Sequence, residues 1–295
     1  MKILALIIGI AALFWASHKI YDQKTRSGLE AKFSSPTFAP SSEWEMPPLA
    51  NEEQQLVDAI LCQKFTFLAR GSQAVAFLSE DKQYVLKLFK QHKWKPGHIL
   101  GYIPLSFNPY YKSYLLKQEK QYNVLHSCKT ALTHVKEDTG VLYAHLNPTP
   151  LNTPPVTLID KHGKSWTIEL SNSCFLLQKK ADLFYEHLQD LMSQSLIEDA
   201  KYAITSTIKL IDRFIDLGVY ENNPILRKNF GFINNEAMQF DIGKFKFDNT
   251  VKHVDKREIR ILTKNFRRWI GTHYPELEEH FDTTLDAYSP VYTQT

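Results

Sequence analysis

Asn229 and Asp241 are the residues of this 295-residue chain whose types and spacing point most directly to chemistry. Between them, residues 230–233 and 237–240 read as two short strands closed by Asn234-Asn235, a dipeptide suited to a tight hairpin turn. Such a hairpin returns the end of its second strand to the loop that precedes its first. An amide oxygen and a carboxylate brought together there make a hard-oxygen site, suited to Mg²⁺ and the phosphates of a nucleotide. Gly243, just after Asp241-Ile242, lets the chain turn away sharply.

Two further features precede this pair. Residues 69–77 (ARGSQAVAF) place a small-residue turn around Gly71 and Ser72 between two β-rich runs. Small side chains allow backbone N–H groups to approach phosphates closely, although a plain hairpin turn has the same composition. Lys87 stands in the run YVLKLF, flanked by apolar residues. A lysine there either lines a strand edge or turns inward to meet phosphates.

The elements that must position these groups are readable from periodicity. Residues 51–62 have helical spacing behind Asn51, with Glu52 and Glu53 in the first turn. Residues 64–68, 74–78 and 84–89 then predict three consecutive antiparallel strands. A helix is expected over 111–127, with Leu115, Leu116, Tyr122, Val124 and Leu125 as its apolar side. A hairpin over 156–160 and 165–170 and a short buried strand over 173–178 follow. From Asp182 the pattern is helical, and its longest helix, 197–217, ends at Gly218. The tail from about Val254 is helical again. A strand-rich first half and a helical second half with one hairpin predict an α+β fold of two lobes, not the βαβ alternation of a parallel sheet.

With these residues in place, the chain resembles the protein-kinase-like fold. Ala69, Gly71 and Ala74 stand where that family has its three loop glycines, and Val75 where a valine covers the adenine. Val85-Leu86-Lys87 resembles the strand that carries the phosphate-binding lysine, with Glu119 as its helix partner. Residues 174–177 leading into 178–181 resemble the last strand and hinge of the small lobe. Asn229 and Asp241 would be the two metal ligands, with Asp241-Ile242-Gly243 in place of Asp-Phe-Gly. The resemblance covers most of residues 60–250. It implies a small lobe over about 60–178 and a helical lobe over about 182–295, nucleotide contacts from Gly71, Ser72, Val75, Lys87 and Glu119, and ATP with Mg²⁺ as cofactors.

The chain departs from that pattern at the catalytic loop. The family's aspartate lies five residues before the metal-binding asparagine, and that position is Pro224 here. The loop is longer, so Glu221, Asn222 or Asn223 can fill the space; Glu221 can accept a proton, whereas the asparagines can only orient the acceptor. An aromatic insert, 94–111, separates Lys87 from Glu119, and 244–255 is short, without an Ala-Pro-Glu segment. A peptide-substrate platform is therefore reduced or absent. Two functions stay open on the kinase-like fold. One is an atypical phosphotransferase acting on a protein or small molecule, with Glu221 and Asn223 in its catalytic loop. The other is a catalytically inactive, membrane-tethered pseudokinase serving as a binding or scaffold module. A non-kinase α+β protein, with Lys87 and Asp241 as ordinary surface charges, is the third reading.

Composition excludes several classes. A net charge of +3, with basic clusters interrupted by apolar residues, does not describe a nucleic-acid groove. Three widely spaced cysteines make neither a disulfide framework nor a zinc site, and each is expected to be a buried thiol. There is no HExxH or GxSxG motif. Residues 3–16 form an uncharged apolar run, so 1–21 is expected to be a signal peptide or a single N-terminal membrane anchor. The Ser- and Pro-rich stretch within 22–50 reads as a linker, and 51–295 as the domain. The chain is thus expected to be membrane-anchored or exported.

Overall fold

The computed structural model describes residues 30–33, 40–221, 224–248 and 256–289. The apolar N-terminal run and Asn223 lie outside them. Among the described residues, no helix is long and apolar enough to cross a membrane. In chain order the main elements begin with α1 (Glu30–Phe33), α2 (Asn51–Leu61), β1 (Lys64–Arg70), β2 (Ala74–Ser79) and β3 (Tyr84–Phe89). They continue with α3 (Pro109–His134), α4 (Lys136–Thr139), β4 (Val141–His145), β5 (Val156–Ile159), β6 (Ser165–Ile168), β7 (Phe175–Lys179) and β8 (Asp182–Leu183). The remainder are α5 (Phe184–Ser193), α6 (Ile197–Leu217), β9 (Val219–Tyr220), α7 (Leu226–Asn229), β10 (Phe230–Ile233), β11 (Glu236–Gln239), β12 (Lys246–Phe247), α8 (Arg257–His273) and α9 (Glu278–Tyr288). The fold is α+β, with a mixed seven-stranded sheet of β1–β7.

The chain divides into two compact units. The first contains residues up to Glu80, Leu86–Tyr122 and His145–Phe175. Its strands run in the order β3-β2-β1-β5-β6. β1 and β2 are antiparallel, with Phe65 opposite Ser79 and Phe67 opposite Phe77, and a register shift before Ala69. β5 joins β1 in parallel and β6 in an antiparallel hairpin. In the hairpin turn, Asp160 Oδ1 accepts the N–H groups of His162 and Lys164, and Gly163 takes φ 80°. The core holds Phe65, Phe77, Leu86, Leu88, Leu158 and Phe175.

The stretch expected to be a linker contributes to this core. Phe33 is fully buried and meets the Phe77 ring edge-on, and Trp44 is buried too. Asn147 accepts the Ser41 N–H at 3.0 Å and donates to Glu45 at 2.6 Å. The described part of that stretch holds only short helical turns, Glu30–Phe33 and Ser42–Trp44, and such segments still pack where aromatic side chains find apolar surface.

The second unit contains Asp81–Val85, Asn123–Ala144 and the chain from Leu176 onward. It is mainly helical. α6 buries Ala200, Ala203, Ile204, Ile208 and Ile211 along one stripe, and stops at Gly218 in the left-handed region (φ 73°) as expected. The rings of Phe184, Phe232, Phe266 and Phe281 form a buried cluster, with Phe184 and Phe266 centroids 4.8 Å apart. β10 and β11 pair with Phe230 opposite Gln239 and Ile233 opposite Glu236. Asn234 and Asn235 both take positive φ, as a tight turn matching strand twist requires.

Three expectations are corrected. α3 runs to His134 rather than Ser127, and its inward side is Gln121, Val124, Leu125 and Cys128; Leu115, Leu116 and Tyr122 are exposed. With apolar residues on several faces of the helix, periodicity alone did not select the stripe. β4 was not anticipated. Cys62, at the end of α2, is exposed, whereas Cys128 and Cys174 are buried free thiols. The strand-rich first unit and the helical second unit, with a β-hairpin after the long helix, follow the α+β, two-lobed order that the protein-kinase-like resemblance implies.

Candidate active site

The hairpin brings Asn229 and Asp241 together within the second unit. The Asn229 carbonyl accepts the N–H of Phe240 at 2.8 Å and of Asp241 at 3.2 Å, so the two residues are locked across the start and end of β10–β11. Asn229 is buried, and its Oδ1 accepts the Ile225 N–H at 2.9 Å, leaving one lone pair on that oxygen. Asp241 is exposed; Oδ1 accepts a long 3.4 Å bond from the Gly243 N–H.

Glu221 lies beside them. Its side chain is 3% exposed, and Oε2 accepts a 2.6 Å hydrogen bond from Gln239 Nε2. The Lys244 ammonium is 3.8 Å from Oε1. Burial pushes the Glu221 carboxyl up to about 7, with the negative charge of Asp241 adding to the rise. The positive charge of Lys244 and the Gln239 hydrogen bond oppose it. A carboxyl poised near neutrality suits proton transfer at physiological pH.

The segment carrying Asp241 is held from two directions. Ser127 Oγ on α3 donates to the Ile242 carbonyl and accepts the Phe245 N–H at 2.6 Å. Gln178 Nε2 on β7 donates to the carbonyls of Thr139, at 3.0 Å, and Phe240, at 3.3 Å. Ser127, Gln178 and Gln239 escaped the sequence reading because each is an isolated polar residue among apolar ones, with no local motif. The only signal available was a polar side chain placed on an otherwise apolar stripe.

A cavity of about 560 Å³ opens next to Glu221 in the same unit. Gln239 and Glu221 contribute to its lining, together with apolar side chains of α6 and α8.

The remaining sequence-derived residues belong to the first unit. Gly71 and Ser72 are exposed in the β1–β2 turn, and Val75 is buried on β2. The Gly71 N–H is used within the turn, donating to the Ala74 carbonyl at 3.0 Å. The Gly71 and Ser72 carbonyls accept Nζ of Lys90 and of Lys93. Burial, reinforced by repulsion from Lys93 and Arg70, pulls the Lys90 ammonium down to about 8. Lys87 is half-buried on β3; Glu119 is on the exposed side of α3.

Among the described residues, no cluster of three or more His, Cys, Asp or Glu is arranged to hold a metal. Asp241 and Asn229 nevertheless fit a Mg²⁺ that draws its other ligands from phosphates and water, since an open carboxylate and one free amide lone pair are present.

No protein-family model matches the chain, and no curated protein matches it. Among solved structures, it is similar to the bifunctional kinase-methyltransferase WbdD, at 14% identity and a TM-score of 0.34, over 76% of this chain and 44% of that one. It is similar to APH(2")-IIa in a streptomycin–ATP ternary complex, at 14% identity and a TM-score of 0.31, over 80% and 99%. It is also similar to Rv3197 of Mycobacterium tuberculosis, in complex with erythromycin, at 12% identity and a TM-score of 0.33, over 96% and 75%. The chain spans under half the length of WbdD.

Proposed function

We propose that the protein is an atypical ATP- and Mg²⁺-dependent phosphotransferase. The observation that carries this is the pairing of Asp241 with Asn229 through the Asn229 carbonyl, beside the buried carboxyl of Glu221. Asp241 and Asn229 hold the metal, and Glu221 takes the proton of the acceptor hydroxyl. Gln239 fixes the orientation of that carboxyl. Bound Mg²⁺–ATP supplies the phosphoryl group and neutralises charge on its oxygens. Lys87 and the turn at Gly71, Ser72 and Val75 are assigned to the nucleotide by the resemblance.

A second reading, a pseudokinase that keeps the fold and binds without turnover, is favoured by Pro224 standing where the family's catalytic aspartate would be. The N-terminal apolar run would tether either form to a membrane. Phosphate release and ATP consumption by the full chain, with and without Mg²⁺, separate the two. Turnover that Asp241→Ala abolishes supports the enzyme; turnover that survives Asp241→Ala removes Asp241 from the mechanism. Metal-dependent nucleotide binding without turnover selects the pseudokinase.

A further inference from the structure

Glu221 and Gln239, hydrogen-bonded to each other at 2.6 Å, both line the cavity. The rest of its wall is mixed: apolar side chains come from α6 (Ile211, Phe214, Ile215) and α8 (Ile261, Leu262, Phe266), and Tyr185, Tyr220 and Asn265 add polar groups. At about 560 Å³ it falls in the range of small-molecule sites, roughly 300–1,000 Å³, which are mostly apolar with a few placed polar groups.

The charges on the wall narrow the occupant. Among the described residues, Arg227 is the only cationic side chain on it, and its guanidinium lies 6.0 Å from the ring of Tyr185, also on the wall. Glu258 carries the opposite charge. One Arg offset by one Glu does not hold a polyanion. Glu258, offset by Arg227, and a Glu221 carboxylate already engaged by Gln239 do not make the acidic surface that a polycation needs. Ile261 and Ile225 are exposed on this wall, at 73% and 51%, so apolar side chains face solvent where a ligand body would cover them.

We infer that this cavity binds an uncharged, largely apolar alcohol, with its hydroxyl at Glu221 and its body along α6 and α8. The identification of that alcohol as a phosphoryl acceptor rests on the proposed phosphotransfer; its binding does not. In the reaction, the hydroxyl proton passes to the Glu221 carboxylate as the alcohol oxygen bonds to the γ-phosphorus. The bond between that phosphorus and the bridging oxygen breaks, and ADP leaves with the electron pair.

The test is equilibrium dialysis of 2-naphthalenemethanol against the full chain in lipid nanodiscs, with empty nanodiscs subtracted. 2-Naphthoate serves as the charged analogue, and a thermal shift with Mg²⁺–ATP is read on the same samples. Ile261→Trp fills the mouth from an exposed position that the fold does not need, and Ile225→Trp is the second such variant. Saturable binding of the alcohol, weakened at least about tenfold by either variant at unchanged Tm, is the expected result. It supports the pocket whether or not Mg²⁺–ATP binds. A nucleotide shift with no saturable alcohol binding overturns the pocket and leaves the phosphotransferase standing. Preference for 2-naphthoate, or binding that both tryptophan variants leave unchanged, also overturns it.

Discussion

The carbonyl oxygen of Asn229 accepts the N–H of Asp241 at 3.2 Å, so a residue that opens a hairpin and one that closes it share a hydrogen bond twelve positions apart in sequence. Because this bond is between backbones, both side chains remain available. One is buried and held by the Ile225 N–H; the other is open to solvent. Under the proposed function, these two side-chain oxygens are the pair that a divalent cation with its phosphates would complete.

Asp241→Ala should remove metal-dependent nucleotide binding without unfolding the protein, because the lost carboxylate is exposed. At a nucleotide concentration of about 100 times Kd, binding stabilises the folded chain by ~2.7 kcal/mol. That Mg²⁺-dependent rise in Tm is expected for the unchanged protein and absent in the variant, whose Tm without ligand should agree closely. A full shift in Asp241→Ala would place the metal elsewhere.

Glu221→Gln should alter both rate and pH dependence. The folded protein keeps the Glu221 proton up to about pH 7, whereas the unfolded chain releases it near the ordinary value of 4.5. Between these values the folded state binds more protons. Stability from this group is therefore present below about pH 4.5, falls as pH rises, and levels off above about 7. The loss across that window is on the order of 3 kcal/mol, and the glutamine variant should not show it in urea unfolding between pH 4 and 8. Catalysis runs the other way: the base works when deprotonated, so kcat/KM should rise to a plateau above about 7. Glu221→Gln should lower kcat by about 10²–10⁴ and flatten that limb. An unchanged pH profile would exclude Glu221 as the base.

Local signals in the sequence were sufficient for the hairpin and its two ends. Asn234-Asn235, Gly218 and the Asp-Ile-Gly segment each state a backbone requirement within a few residues. Residues whose role depends on packing were not legible in the same way. Glu119 looks like a lysine partner by order along the chain, but helix register turns it outward while Gln121 faces in. Ser127, Gln178 and Gln239 gain their roles from carbonyls and a carboxylate far away in sequence, which spacing cannot reveal. Glu221 was readable as a residue able to accept a proton; its burial, which tunes it, was not.

Gly231 is a packing constraint that composition does not announce. On β10, between β8 and β11, a Cβ built at this position would lie 2.3 Å from the Asp182 carbonyl oxygen and 3.1 Å from the Ala181 side chain. Backbone cannot retreat as a flexible side chain would, so Gly231→Ala must separate β8 from β10. A loss of at least about 2 kcal/mol is expected in urea unfolding, larger than the usual surface substitution. A loss below about 0.5 kcal/mol would mean that the strands move apart freely.

Ser127→Ala tests whether the Asp241 segment is positioned from α3. The hydroxyl is buried and serves two backbone groups, the Ile242 carbonyl and the Phe245 N–H. Replacing it with a methyl group leaves both groups without that partner, at a cost of about 1–3 kcal/mol in stability. A purely structural role would end there. If Ser127 sets the position of Asp241, the variant should also weaken nucleotide binding in Mg²⁺ more than in EDTA, because only the metal-bound complex depends on that carboxylate. Calorimetric titration with ATP under the two conditions, at a temperature well below the variant's Tm, distinguishes these outcomes. Equal loss under both conditions would assign Ser127 to the core alone, and a selective loss with Mg²⁺ would make it a positioning residue for Asp241.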